Sequence, residues 1–273
     1  MRHSRTTARN PDLEDWSKEY EKKGNLEFFA DALAALAKRK LGNGGLMVIG
    51  LLGQRDLPGH TLRTAQSILR WDMRPSLWSH AFLFGARVGG KAGAVGRAPV
   101  WEVTLYPRNG EFPRPEQNGV GGLPGRGRKK GEPVTLRHYQ NPKVDANAAL
   151  LAVMMTDEEA ERVSRRAATP NIDRIRYNLW ESLGIWQGYL WAQGSRPNPL
   201  REGVPIPAAS YVELAFEAIN LDMTPGASER HSSPEHIWNG ACWWHETFAT
   251  QGHPIAGYYV LRDPGASLMG ADE

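Results

Sequence analysis

A histidine and a glutamate in this chain stand where the sequence can bring them together as proton-handling groups. His80 lies in Trp78-Ser79-His80-Ala81-Phe82-Leu83-Phe84 and Glu102 in Val100-Trp101-Glu102-Val103. Both stretches have strand character, and the glycine-rich GGKAGAVGR between them reads as a turn or short hairpin. Neighbouring strands would set an imidazole beside a carboxylate, which supplies two members of a nucleophile, base and orienter triad. The third member of a thiol version is a cysteine at a helix N-terminus, where unpaired N–H groups and the helix dipole lower the thiol's pKa. Cys242 is the single cysteine, and with His245 or His80 as base it is one candidate nucleophile. Its setting, the apolar run GACWWHETF, favours a buried structural thiol, because apolar surroundings raise a thiol's pKa.

Other groupings carry weaker chemistry. His231, Glu235, His236, His245, Glu246 and His253 fall near one another in the chain, but His236 and His245 are not at the i, i+4 spacing that aligns two ligands on one helical face. No metal is expected, and the Pro234 to Trp238 segment is expected to cap a cleft or pack behind it. His60, after Pro58-Gly59, reads as a loop or helix-start residue. Arg126, Arg128, Lys129 and Lys130 form a basic cluster that reads as a solvated loop tip, with contact to an anionic surface as the alternative. Trp180, Trp186, Tyr189 and Trp191 form an aromatic stripe that reads as core, with a sugar- or base-stacking platform as the alternative.

These side chains need elements to hold them. The 273 residues, 41% hydrophobic and 23% charged, suit a folded body with a substantial core. A net charge of +3 is too small to imply a nucleic-acid partner. A lone cysteine suits a reducing compartment, and neither a secretory leader nor a long apolar span is apparent, so a cytoplasmic location is expected; delivery by a secretion system would leave no such mark. Residues 1–11 read as a flexible tail and 12–273 as one domain. Leu26, Phe29, Leu33 and Leu36 recur at helical spacing, Leu46 to Leu52 reads as a buried strand, and the sequence from Thr61 to Trp71 as a helix. Residues 107–133, rich in Gly, Pro and polar side chains, predict a loop insertion. Residues 141–194 predict a helical insertion: Ala146 to Met155 is alanine-rich, Thr156 with Glu159 makes a capping box, and Ile172, Ile175 and Leu179 share a face. Pro207 marks the start of a helix with Tyr211, Val212, Ala215, Phe216 and Ile219 at helical spacing. SPEHIWNGACWWHETF predicts a further helix and GYYVLRD a last strand.

In this order the motifs resemble the permuted papain-like superfamily of NlpC type, its YiiX-like group in particular. That group sets a Ser-His strand first, a strand with the orienting polar residue second, and a cysteine at the head of a helix last. Ser79-His80 resembles the histidine strand, preceded as in the family by a strand and a helix, and Glu102 stands at the orienter position. The family's nucleophile helix, roughly Cys-Ser-x-Leu-Val-x-x-Ala-Phe, is similar to Ala208-Ala209-Ser210-Tyr211-Val212-Glu213-Leu214-Ala215-Phe216. This register sets Ala208 on the cysteine; placing Ala209 there fits the apolar positions less well.

The resemblance covers residues 46–106 and 200–222. It implies an α+β fold, a small antiparallel sheet bearing His80 and Glu102 packed on the helix that begins near Ala208, with extra helices. It also implies a cofactor-free peptidase or amidase acting on a peptide, protein or cell-wall substrate, with acyl-ester chemistry or non-catalytic binding as alternatives. An alanine methyl cannot attack a carbonyl, so this chain is expected to be inactive at that step, through either an introduced change or a natural loss. Retention of His80 with Glu102 favours the former.

Overall fold

A computed structural model describes residues 24–38, 45–84, 100–102, 145–168, 179–192, 195–225, 232–248 and 255–261. The expected tail at 1–11, the loop at 107–133 with its basic cluster, the turn at 89–97, and Ile172, Ile175, His231 and His253 lie outside the described residues.

The architecture is α+β. Among the described residues five antiparallel strands stand in the order β3-β2-β1-β4-β5: β1 Gly45–Gln54, β2 His80–Phe84, β3 Val100–Trp101, β4 Asp145–Met155 and β5 Ile255–Leu261. Helix α1 (Asn25–Lys38) covers one face. The other carries α3 (Asp157–Ala168), α5 (Pro207–Phe216) and α6 (Pro234–Phe248). Helices α2 (Leu57–Ala65) and α4 (Leu179–Trp191) build a smaller core of Leu62, Ala65, Trp186, Leu200 and Ile206. Trp186 is thus core, as expected of the aromatic stripe, whereas Trp191 is exposed. Among the described residues no helix is long and apolar enough to cross a membrane.

Helices on both faces explain the continuous apolar runs of the central strands, since neither side of β1 or β4 meets water. Along β1, Met47, Ile49 and Leu51 enter the core beneath α3, α5 and α6, while Val48 and Leu52 enter the core beneath α1. Phe82 lies across Gly50, so closely that a Cβ there would overlap the ring, and Phe29 of α1 meets Phe82 and Phe84 edge-on at centroid distances of 6.0 and 5.9 Å. Tilted aromatic pairs of this kind add to the area they bury.

One expectation is overturned here. The stretch from Ala146 to Met155, read as alanine-rich helix within an insertion at 141–194, is most of β4, the strand beside β1, paired from Gln54↔Asp145 to Gly45↔Met155. Alanine favours helix in isolation, but here Ala148, Ala149 and Ala152 are sealed between two helical layers, where tertiary packing outweighs propensity. The helical part of that region is α3 and α4. The capping box at the start of α3 forms as its spacing predicts: the Thr156 N–H donates to Glu159 Oε2 at 2.8 Å and the Glu159 N–H to Thr156 Oγ at 3.2 Å.

Candidate functional site

β2 begins at His80, and the residues before it are clamped on every side. The Ser79 N–H donates to the Leu52 carbonyl at 2.8 Å, and Ser79 Oγ accepts from the Gln54 N–H at 2.9 Å. Trp78 is buried with its ring 5.3 Å from that of Trp238 on α6. Gln66 joins three segments: its amide donates to the Trp78 carbonyl at 2.7 Å and its oxygen accepts from the Glu235 N–H at 2.8 Å. Ser76 Oγ donates to Glu235 Oε2 at 2.6 Å, while the Ser76 carbonyl accepts from Arg63 Nε at 2.6 Å. Burial pushes the Glu235 carboxyl up, against the hydrogen bond from Ser76 and the charge of Arg70. Arg63 is brought down to about 10 by burial and by the neighbouring charges of Arg55 and Arg70. The segment from Pro234 to Trp238 therefore packs behind the approach to His80.

His80 Nε2 and Glu102 Oε2 are 2.7 Å apart, with side-chain exposures of 5% and 1%. An ionised carboxylate only accepts, so it holds the proton on Nε2 and leaves proton exchange with any other group to Nδ1. The strand register fixes the side on which this pair lies. His80 is opposite Leu52, and its ring is 6.3 Å from that of Phe82, which places it on the side of the sheet covered by α1. Ala208 is fully buried in the first turn of α5, within the core on the other side that also contains Ala81 and Leu83. The structure thus brings His80 and Glu102 together and sets Ala208 in the packing layer across β2.

One side chain of α5, that of Tyr211, lies within electrostatic reach of Glu102. Tyr211, one turn beyond Ala208, donates its hydroxyl to the Ala167 carbonyl at 2.7 Å. Its phenol is pushed up mainly by burial and also by the charge of Glu102. The sequence marks Tyr211 only as one apolar helical position among several, so its hydrogen bond to Ala167 was not legible there.

Glu213, on the same helix, was also missed. It is a carboxylate inside the apolar run of α5, and that mismatch was the available signal. Thr224 Oγ donates to Glu213 Oε1, and burial pushes the carboxyl up to about 7. Between the ordinary value near 4.5 and about 7 the folded state holds this proton more tightly than the unfolded chain. Its contribution to stability is therefore complete below pH 4.5 and is lost as pH rises through about 7. Glu213→Gln, which can still accept from Thr224, should flatten that slope in urea melts between pH 5 and pH 8 and be more stable than the parent at pH 8 by about 2–3 kcal/mol.

Cys242 is half-buried on α6 and packs against the main core. Among the described residues no three His, Cys, Asp or Glu side chains gather as metal ligands. His236 instead takes part in capping α6: its N–H donates to Ser233 Oγ at 3.3 Å, and its Nδ1 lies 3.1 Å from the same oxygen. His60 is half-buried on α2 and is pushed down by burial and by Arg63. Comparison with known proteins finds no matching family model, no similar curated protein and no similar solved structure.

Proposed function

We propose that this chain is a papain-like thiol-hydrolase scaffold that lacks its nucleophile. The observation that carries the reading is the sealed His80–Glu102 pair at 2.7 Å, at the start of a strand against which α5 packs. The order of strand, helix, histidine strand, orienter strand and late helix supports it. In the parent chemistry, which needs the His80 ring to reach the α5 side of β2, a thiolate at position 208 attacks a carbonyl carbon, and the imidazolium of His80 gives its proton to the leaving amine. Water then hydrolyses the thioester with His80 as base, while Glu102 holds the ring in one tautomer. Within the first turn Pro207 has no N–H and the Ala209 N–H is taken by the Ile206 carbonyl at 2.9 Å, so the backbone donor proposed for the oxyanion is that of residue 208. The substrate class is an amide of a peptide, protein tail or cell-wall fragment. With a methyl group at 208 the chain does not cut.

A second reading is favoured by the complete burial of Ala208 in the core on the far side of β2 from His80. In that reading the fold is a non-catalytic binding module, and the polar pair fixes its shape. Ala208→Cys separates the two. The first reading expects thiol-dependent turnover of activated amide and ester substrates, abolished by alkylation and by adding His80→Ala. A folded Ala208→Cys protein, verified by its melting curve, that turns over none of them while the thiol at 208, told apart from Cys242 by peptide mapping, resists alkylation would leave only the binding module.

A further inference from the structure

Glu213 is buried in the second half of α5, and two residues of a nearby turn help to shut it off from water. Met223 and Thr224 are buried, while Asn220, Asp222 and Pro225 around them are exposed. The backbone reverses at Asn220, which has φ 56°, a left-handed geometry that asparagine tolerates better than most side chains. From there the turn reaches inward at two points. Thr224 Oγ donates to Glu213 Oε1. The Met223 side chain enters the main core, and its carbonyl rests on Gly240 of α6, where a Cβ would overlap it. The turn is thus wedged between α5, which carries position 208, and α6, which braces the approach to His80.

This plug suits only one protonation state of the carboxyl. Burial holds the proton on and the charge of Asp222 adds to it, against the Thr224 hydroxyl and the Met223 and Thr224 backbone N–H groups, which favour the charged form. The charged and titratable groups on the elements packed around α5 have partners of their own. Arg166 of α3 donates to the Leu214 carbonyl and lies 4.0 Å from Glu217, His80 is held by Glu102, and on α6 Glu235 is held by Ser76 and His236 by Ser233. The charge that does act on Glu213, that of Asp222, has the wrong sign to neutralise it. An ionised Glu213 is therefore relieved by water. All ten residues of α5 are buried, so water reaches the carboxylate more readily by displacing the half-exposed turn than by displacing the helix. We propose that the 220–225 turn is a latch between α5 and α6, closed over protonated Glu213 and released when the carboxyl ionises.

The closed turn holds Glu213 at about 7, whereas an open turn returns it to its ordinary value near 4.5. Between those values each pH unit raises the ratio of open to closed turn about tenfold, and above about 7 the gain levels off. Oxidation of the full chain by hydrogen peroxide at pH 5 and pH 8, followed by peptide mapping, reads the opening at Met223. Exposed Met73 gives the intrinsic rate at each pH, and Met47, buried in β1, reports unfolding of the whole molecule. Relative to Met73, Met223 is expected to oxidise at least roughly tenfold faster at pH 8 than at pH 5, and faster than Met47. Low urea should speed Met47 and leave Met223 unchanged, because a local opening exposes little surface. Glu213→Gln, shown to be folded by its melting curve, should lose the pH response. Oxidation of Met223 only in step with Met47, equal rates at the two pH values, or a response retained by the glutamine variant overturns the proposal.

Discussion

Glu102→Ala loses about 2–3 kcal/mol in urea unfolding, the cost of leaving the buried His80 ring without the carboxylate it is hydrogen-bonded to. The magnitude follows from burial: both side chains are almost sealed, so water cannot take the place of the carboxylate beside His80. Glu102→Gln, which keeps an acceptor at the same position, loses less. A double variant, His80→Leu/Glu102→Leu, recovers most of the loss, because an apolar pair of similar volume avoids the cost of removing charge from water. A loss below about 1 kcal/mol for Glu102→Ala would mean that water reaches the ring and that the pair behaves as an exposed one. If the double variant is stable, the polar pair is dispensable for folding and its value lies in holding an imidazole in one orientation.

The second large effect concerns a residue with no side chain. Gly53→Ala should cost about 3 kcal/mol, at the upper end of overpacking effects or beyond. A Cβ at that position overlaps the Leu77 carbonyl oxygen and stands 3.0 Å from Asn147 Cβ. Backbone cannot swing aside as a flexible side chain does. Yielding would move residues 77–79 and with them the bonds from Asn147 to the Leu77 carbonyl and between Ser79 and Leu52. Gly184→Ala is the control: it lies in helix α4, a Cβ there meets nothing within 4 Å, and alanine should gain about 0.5–1 kcal/mol from helix propensity. Paired thermal melts of the two variants check both signs.

How much of this was legible in the sequence differs from element to element. β1, β2, α5 and α6 follow from apolar runs and spacing and, for α5, from Pro207 at the helix start, and the Thr156–Glu159 cap from a four-residue motif. β4 was not legible. Sealed on both faces it has no alternation to show, and its alanines carry the strongest helix propensity of any residue. His80 and Glu102 were found because adjacent strands set diagonal neighbours side by side. The side of the sheet on which they lie was not legible, since it depends on which residue of β1 stands opposite His80, and a one-residue shift in register inverts it. The clamp of Arg63, Gln66, Ser76 and Glu235 escaped for another reason: its partners are far apart in the chain and share no local pattern.

That clamp also bears on the order in which the molecule acquires its structure. The bond from Ser76 to Glu235 spans 159 residues and that from Glu235 to Gln66 spans 169. Contacts this distant close late, because the entropy of bringing the ends together must be lost before the contact returns anything. α2 can form from neighbouring residues and β1 can pair with the nearby β2, but the approach to His80 is fixed only when α6 docks. On a chain emerging from the ribosome, the region around the histidine would be among the last parts to take shape.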